Sequence, residues 1–144
     1  MNTEMELRVK AAEEAVRQLA EEFVDFAQDD MKVARVNLDR LRASTNLVDE
    51  DWQDYFTAIH NIKGLGGSFG YHLISYVAES NCRLLKFLPP TSDKVLRLCE
   101  AHLVALEKIL ERNIKGDGGE AGRKIIEKLV SSVDEIFAEM NVKS

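Results

Sequence analysis

Helix breakers are few in this chain and confined to three places, and that placement dictates the fold class. The only prolines are Pro89 and Pro90. The eight glycines fall into two clusters, Gly64, Gly66, Gly67 and Gly70, then Gly116, Gly118, Gly119 and Gly122. Pro and Gly are the residues that helix interiors tolerate least, so the long segments between these clusters are free to be helical. Their apolar residues recur at three- and four-residue steps, and no segment alternates with β-branched enrichment. The pattern predicts an all-α chain without strands.

Residues 3–43 contain neither Gly nor Pro, and Val16, Leu19, Phe23, Phe26, Ala27, Ala34, Leu38 and Leu41 mark an apolar stripe along them. Length alone favours a break, since helices beyond about 25 residues are uncommon in compact domains. Asp29-Asp30 is one place for it, and the sequence leaves one helix or two open. The first part, about 3–18, has a weak apolar face and many charges, as a peripheral or extending helix would. Ser44-Thr45-Asn46 ends the segment. A new helix is predicted from Asp49, a good N-cap, with acidic residues in its first turn to offset the helix dipole; it stops near Gly70. The next runs from about Tyr71 to Phe87 and is halted by Pro89-Pro90. Thr91, Ser92 and Asp93 offer caps for a helix that ends before Gly116. A final helix over about 120–140 carries Ile125, Ile126, Leu129, Val133, Ile136, Phe137 and Met140 at helical spacing. Short connections favour antiparallel neighbours. The expected architecture is one domain over 1–144: an up-and-down four-helix bundle with core about 19–110, plus additional N- and C-terminal helices.

Net charge narrows the partners. At −6 the chain is a poor default ligand for nucleic acid. No run approaches the roughly 18 apolar residues of a membrane helix, and the N-terminus lacks the basic and apolar regions of a signal peptide. A cytoplasmic protein that contacts neither membrane nor nucleic acid is expected. Cys82 and Cys99 form no CxxC and are not spaced with His72 or His102 as metal ligands would be; they read as reduced, part-buried apolar residues. The acidic pairs Glu13-Glu14, Glu21-Glu22 and Asp29-Asp30 read as solvated faces, so no metal is expected.

The glycine cluster after His60 is where the chemistry concentrates. Gly64, Gly66 and Gly67 inside a helix cost about 3 kcal/mol together relative to alanine, and a local rule broken this heavily marks a functional or close-packing site. At about 100° per residue, Lys63, Gly64 and Gly67 lie within roughly 60° of His60. Tyr55, Ile59, Ile62, Gly66 and Phe69 form a separate, core-facing stripe. His60 is therefore predicted to point outward with an ammonium one turn on and bare backbone beside it, a surface that another protein can approach closely. Phe56 lies about 40° from His60 by the same count. The glycines do not make a nucleotide loop: no strand precedes them, the last glycine is one place late for GxGxxG, and no GK[ST] follows. His72 has no comparable neighbours and reads as a surface residue, and His102 falls on the core side of its helix.

His60, Lys63, Gly64 and Gly70 fit the pattern H-x-x-K-G-x-x-x-x-x-G, with Gly66, Gly67 and Ser68 at the small positions and Phe69 before the last glycine. In this the stretch resembles the signature of histidine phosphotransfer (HPt) domains, carried on the second helix of a four-helix bundle. Leu65 departs from it, standing where the family usually has a small residue. The likeness covers roughly Leu19 to Leu110. It implies relay of a phosphoryl group between aspartyl-phosphate receiver domains in a multistep two-component phosphorelay. His60 would be the phosphoryl acceptor, Lys63 would stabilise the phosphoryl charge, and Gly64 and Gly67 would give the partner access. Phe56, Arg83 and Lys86 would be secondary docking residues. No cofactor is implied for this chain, Mg²⁺ belonging to the receiver, and no autokinase activity is expected. A dimeric kinase-like histidine phosphotransferase and a non-catalytic module that binds a kinase or receiver are the alternatives. The chain has enough helices to close a bundle alone, so a monomer is expected.

Overall fold

The computed structural model describes residues 3–44 and 49–142. It contains five helices: α1 (Glu4–Ala43), α2 (Asp49–Ser68), α3 (His72–Phe87), α4 (Asp93–Glu111) and α5 (Gly119–Glu139). Among the described residues there is no strand. α1 packs on α2 and α4, and α3 packs on the same two, which closes a four-helix ring within one chain. α5 lies outside the ring on α3 and α4.

The first 40 helical residues are continuous, so the break at Asp29-Asp30 that length favours does not occur. Nothing in that stretch interrupts a helix. Thr3 and Glu6 form a capping box at its start, and buried Ala27, Met31, Ala34 and Leu38 hold both sides of the Asp pair to the bundle. The N-terminal helix expected over about 3–18 is thus the first part of α1. Val16, Leu19 and Phe26, which the stripe places inward, are 65%, 48% and 56% exposed. From Glu4 to Leu19 every side chain is exposed, because no neighbouring helix reaches that far.

The other boundaries follow their caps. The cap expected at Asp49 falls on the first residue of α2, whose side chain lies outside the described residues, as do Thr45 and Asn46. α2 ends where Gly70 takes φ +80°, a left-handed conformation that spares glycine the clash of a Cβ. Ser92 caps α4 by accepting from the Val95 backbone N–H.

The core runs between the four ring helices, with Phe23, Leu38, Ile59, Ile62, Leu73, Ile74, Leu84 and Leu103 fully buried. Several polar groups inside it pair across helices, while Asn37 Oδ1 and the Trp52 indole nitrogen are buried without a hydrogen-bond partner among the described residues. The Tyr55 hydroxyl donates to Asn81 Oδ1 at 2.5 Å, joining α2 to α3. Burial pushes the thiols of Cys82 and Cys99 up, to about 11 and about 12, so both stay protonated and unreactive. Arg35 fastens α1 to α4 through Glu100 and Glu107. α5 is bound on by the Arg83–Asp134 and Lys94–Glu139 pairs, each 2.8 Å, and by the edge contact of Phe87 with Phe137.

His102 is fully buried, as its core-side placement predicts. Its Nδ1 lies 2.7 Å from the Leu98 carbonyl, to which a neutral ring donates, and its Nε2 lies 2.9 Å from Ser80 Oγ on α3. Burial, which disfavours the charged ring, lowers its pKa from 6.5 to about 4. The unfolded chain then binds the proton that the folded chain refuses, so stability is lost as pH falls from about 6.5 towards 4. The loss expected from this one group is up to about 3 kcal/mol. Thermal melts at pH 7 and pH 4.5 check it: the drop between them should be smaller in His102→Gln than in the parent chain.

Candidate functional site

His60 sits midway along α2 on its exposed face. Of the core stripe beneath it, Tyr55, Ile59, Ile62 and Gly66 are buried as predicted, while Phe69, just past the end of α2, is half-buried against Phe23. Its ring stacks on Phe56, with centroids 6.2 Å apart and planes 27° apart, and Phe56 in turn stacks on Trp52 at 6.0 Å. This short aromatic column limits how far the imidazole can swing.

His60 stands on a ridge between two open hollows of opposite charge. On the α3 side, a hollow of about 470 Å³ is lined by Phe56, Lys63, Glu79, Cys82, Arg83, Lys86 and Phe87. Three cations there face one carboxylate. On the α1 side, a hollow of about 540 Å³ is lined by Phe26, Asp29, Asp30, Asn61, Gly64 and Leu65. The Asp30 carboxyl there is held above its usual range by burial and then by the neighbouring Asp29, with a hydrogen bond from Asn61 opposing both. His60 thus has a cationic wall on one side and an anionic one on the other.

Every residue singled out from the sequence can now be placed. Lys63, one turn after His60, lines the cationic hollow, but its ammonium is not idle: Nζ lies 2.5 Å from a carboxylate oxygen of Glu79 on α3. That contact raises the Lys63 pKa, so the side chain stays charged. The Lys63 carbonyl also accepts from Ser75 Oγ at 3.0 Å, which ties this turn of α2 to α3. Phe56 is half-buried under the imidazole. Arg83 faces the same hollow while pairing with Asp134 of α5 and lying 5.1 Å over the Phe137 ring. Lys86 is exposed above Phe87. His72 is exposed beside Tyr76, away from this constellation.

The three helical glycines separate by what surrounds them. A Cβ built on Gly64 meets nothing within 4 Å, so that backbone is bare to solvent beside His60. One on Gly67 would touch Ser75 Oγ at an ordinary 3.6 Å; Gly67 is exposed, but it borders neither hollow. One on Gly66 would sit 3.1 Å from both the Ser75 nitrogen and the Tyr71 carbonyl, backbone atoms that cannot swing aside. Gly66 is therefore a packing glycine that lets α3 start hard against α2. Replacing Gly66 with alanine is expected to lower stability by about 1–2 kcal/mol, overpacking outweighing helix propensity. Gly64→Ala should instead raise stability, by up to about 1 kcal/mol. Urea unfolding of the two variants checks the opposite signs.

Glu79, Asp29, Asp30, Asn61 and Phe26 were not read from the sequence as site residues. All but Asn61 reach His60 from α1 or α3, and a single helix's periodicity carries no signal for what its neighbours bring.

A family model described as Hpt domain matches residues 18–116, more than half of the chain. No curated protein and no solved structure matches it. The matched span begins where α1 enters the bundle and ends after α4, leaving outside it the exposed start of α1 and all of α5. A closed four-helix ring with an outward imidazole on its second helix goes with that match: the chain belongs to the Hpt family, the histidine phosphotransfer domains of two-component phosphorelays.

Proposed function

We propose that His60 is the residue that carries the phosphoryl group, and that this chain passes it between receiver domains bearing aspartyl phosphate. The observation that carries the reading is the position of His60: exposed, and at the lip of a hollow lined by Lys63, Arg83 and Lys86.

The reaction needs little from the bundle beyond placement and charge. A neutral imidazole keeps its proton on Nδ1 and attacks phosphorus through the Nε2 lone pair. The new N–P bond forms as the P–O bond to the receiver's aspartate breaks, and the carboxylate leaves on the receiver. The reverse sequence loads the next receiver. The Nε2 that attacks carries no proton in that tautomer, so no base within this chain is required to free its lone pair. Lys63 would meet the phosphoryl oxygens as a point charge, and phosphoryl transfer depends mainly on such positioning and neutralisation. Mg²⁺ and the acidic residues that hold it would come with the receiver. Gly64 keeps the lip low on the α1 side; Phe56, Arg83 and Lys86 would supply apolar and cationic contacts on the other, and Gly67 would ease approach further along α2. A cytoplasmic location would place the chain with such receivers.

The ring of α1 to α4 closes within one chain, which supports this reading over a kinase-like phosphotransferase whose bundle forms only in a dimer. The test is transfer of labelled phosphate from a panel of phosphorylated receiver domains. Label that is acid-labile and alkali-stable is expected on the parent chain and absent from His60→Gln. Label of that kind persisting on His60→Gln would overturn the assignment of the residue.

A further inference from the structure

The exposed start of α1 carries an apolar seam that the phosphotransfer site does not use. Met5, Val9, Ala12, Val16, Leu19 and Phe23 follow one another at steps of four, three, four, three and four. At about 100° per residue they all lie within roughly 40° of one line, and Met5 and Phe23 coincide on it. Phe23 is fully buried against the rings of Phe69 and Tyr71. The seam is therefore the bundle-facing stripe of α1 continued past the end of the bundle for about 27 Å, with Met5 69% and Val16 65% exposed. The capping box at Thr3 and Glu6 fixes the helix at its far end, so this is a formed helix with one apolar side uncovered.

We infer that a second copy of this chain covers the seam, in an antiparallel two-helix pairing. The heptad pattern, with Val9 and Val16 at one core position and Met5, Ala12 and Leu19 at the other, is that of a two-stranded coiled coil. Orientation follows from the bundle itself. The bundle sits on the seam side of α1, so a parallel partner helix would run directly into it. An antiparallel partner runs away, and its own bundle lies beyond Met5. Charge selects the register. Setting Val9 against Leu19 of the second copy, and Ala12 against its Val16, packs small residues against large. It also brings Arg8 opposite Glu22 of the second copy at both ends of the pairing. Arg8 now holds only Glu4, across a wholly exposed i,i+4 pair, which is weak enough to exchange. One like-charge contact remains, Glu13 against Glu13 at the twofold axis. The ring that closes within one chain gives no reason for a second copy; this extension does, and a dimer here replaces the expected monomer.

Sedimentation velocity on the full chain over micromolar to submillimolar concentration tests the inference. A concentration-dependent dimer is expected. Val16→Glu should weaken it by roughly tenfold or more while leaving the melting temperature of the bundle unchanged, since Val16 touches nothing in it. Arg8→Glu should also weaken the dimer, and the double variant Arg8→Glu, Glu22→Arg should restore it; Glu13→Gln should tighten it. Under oxidation Ala15→Cys, close to the twofold axis, is expected to cross-link and Met5→Cys is not. A parent chain that stays monomeric throughout overturns the inference, even where Val16→Glu then blocks phosphoryl acceptance, which would assign the seam to a receiver. So does a dimer that Val16→Glu leaves intact, a charge swap that fails to restore association, or a disulfide through Met5→Cys.

Discussion

A His60→Gln chain is expected to fold as the parent does and to take no phosphoryl group from any receiver. The two halves of that expectation have separate physical grounds. His60 is exposed, and its one contact of note is the stacked ring of Phe56, so its loss should cost no more than about 1 kcal/mol. The chemistry has no such reserve. The other imidazoles cannot replace it: His102 is sealed in the core with both nitrogens engaged, and its ring stays neutral and out of reach. His72 lies in the open beside Tyr76, without the Lys63, Arg83 and Lys86 wall. A melt beside a phosphotransfer assay separates the cases. An unchanged Tm with no label is the expected pair of results. Lost label with a collapsed melt would assign His60 to structure, and retained label would move the reactive residue elsewhere.

Much of this site was legible from one helix, because a helix sorts its own faces. The spacing of Tyr55, Ile59, Ile62 and Gly66 fixed the buried side of α2, and with it the outward direction of His60, Lys63 and Gly64. What neighbouring helices supply was not legible. Glu79 meets Lys63 from α3, and Asp29 and Asp30 line the far hollow from α1; the rotation and height at which helices cross are set by packing, which one sequence does not display. Arg83 could be placed near the site but not paired, since the sequence does not say which helices the one carrying Asp134 packs on. Phe26, between buried Phe23 and Ala27 but turned into the α1-side hollow, was misread for the same lack of a known rotation. The misreading of Val16 and Leu19 has a related origin. Periodicity shows that a face is apolar, and burial also requires a neighbour long enough to cover it. For the same reason the length of α1 was misjudged. A helix is ended by breakers and caps rather than by the size of the bundle, and residues 4–43 contain no breaker.

Lys63→Ala and Glu79→Gln are expected to move phosphoryl acceptance in opposite directions, because the two side chains hold each other before a partner arrives. Their contact is short, 2.5 Å, but both ends are open to water, with side-chain exposures of 38% and 53%. Exposed pairs of this kind are worth about 0–1 kcal/mol. A phosphoryl group on His60 would offer the ammonium a doubly charged partner, and hydrogen bonds between charged groups contribute about 1.5–3 kcal/mol. Exchange of Glu79 for phosphoryl oxygen is therefore downhill, and removing the ammonium should slow acceptance by about 10–100-fold. Removing the Glu79 charge frees Lys63 and lifts a repulsion from the same hollow, which should speed acceptance by up to about fivefold. If Glu79 acts chiefly by occupying Lys63, its substitution should gain much less in a Lys63→Ala background, the non-additivity that marks two groups in one interaction. Single-turnover transfer from a phosphorylated receiver to the four chains measures all of this. A Lys63→Ala chain that accepts phosphate at the parent rate would show that Arg83 and Lys86 carry the neutralisation without it. Full additivity would show that Glu79 acts on the phosphoryl group directly and not through the lysine it holds.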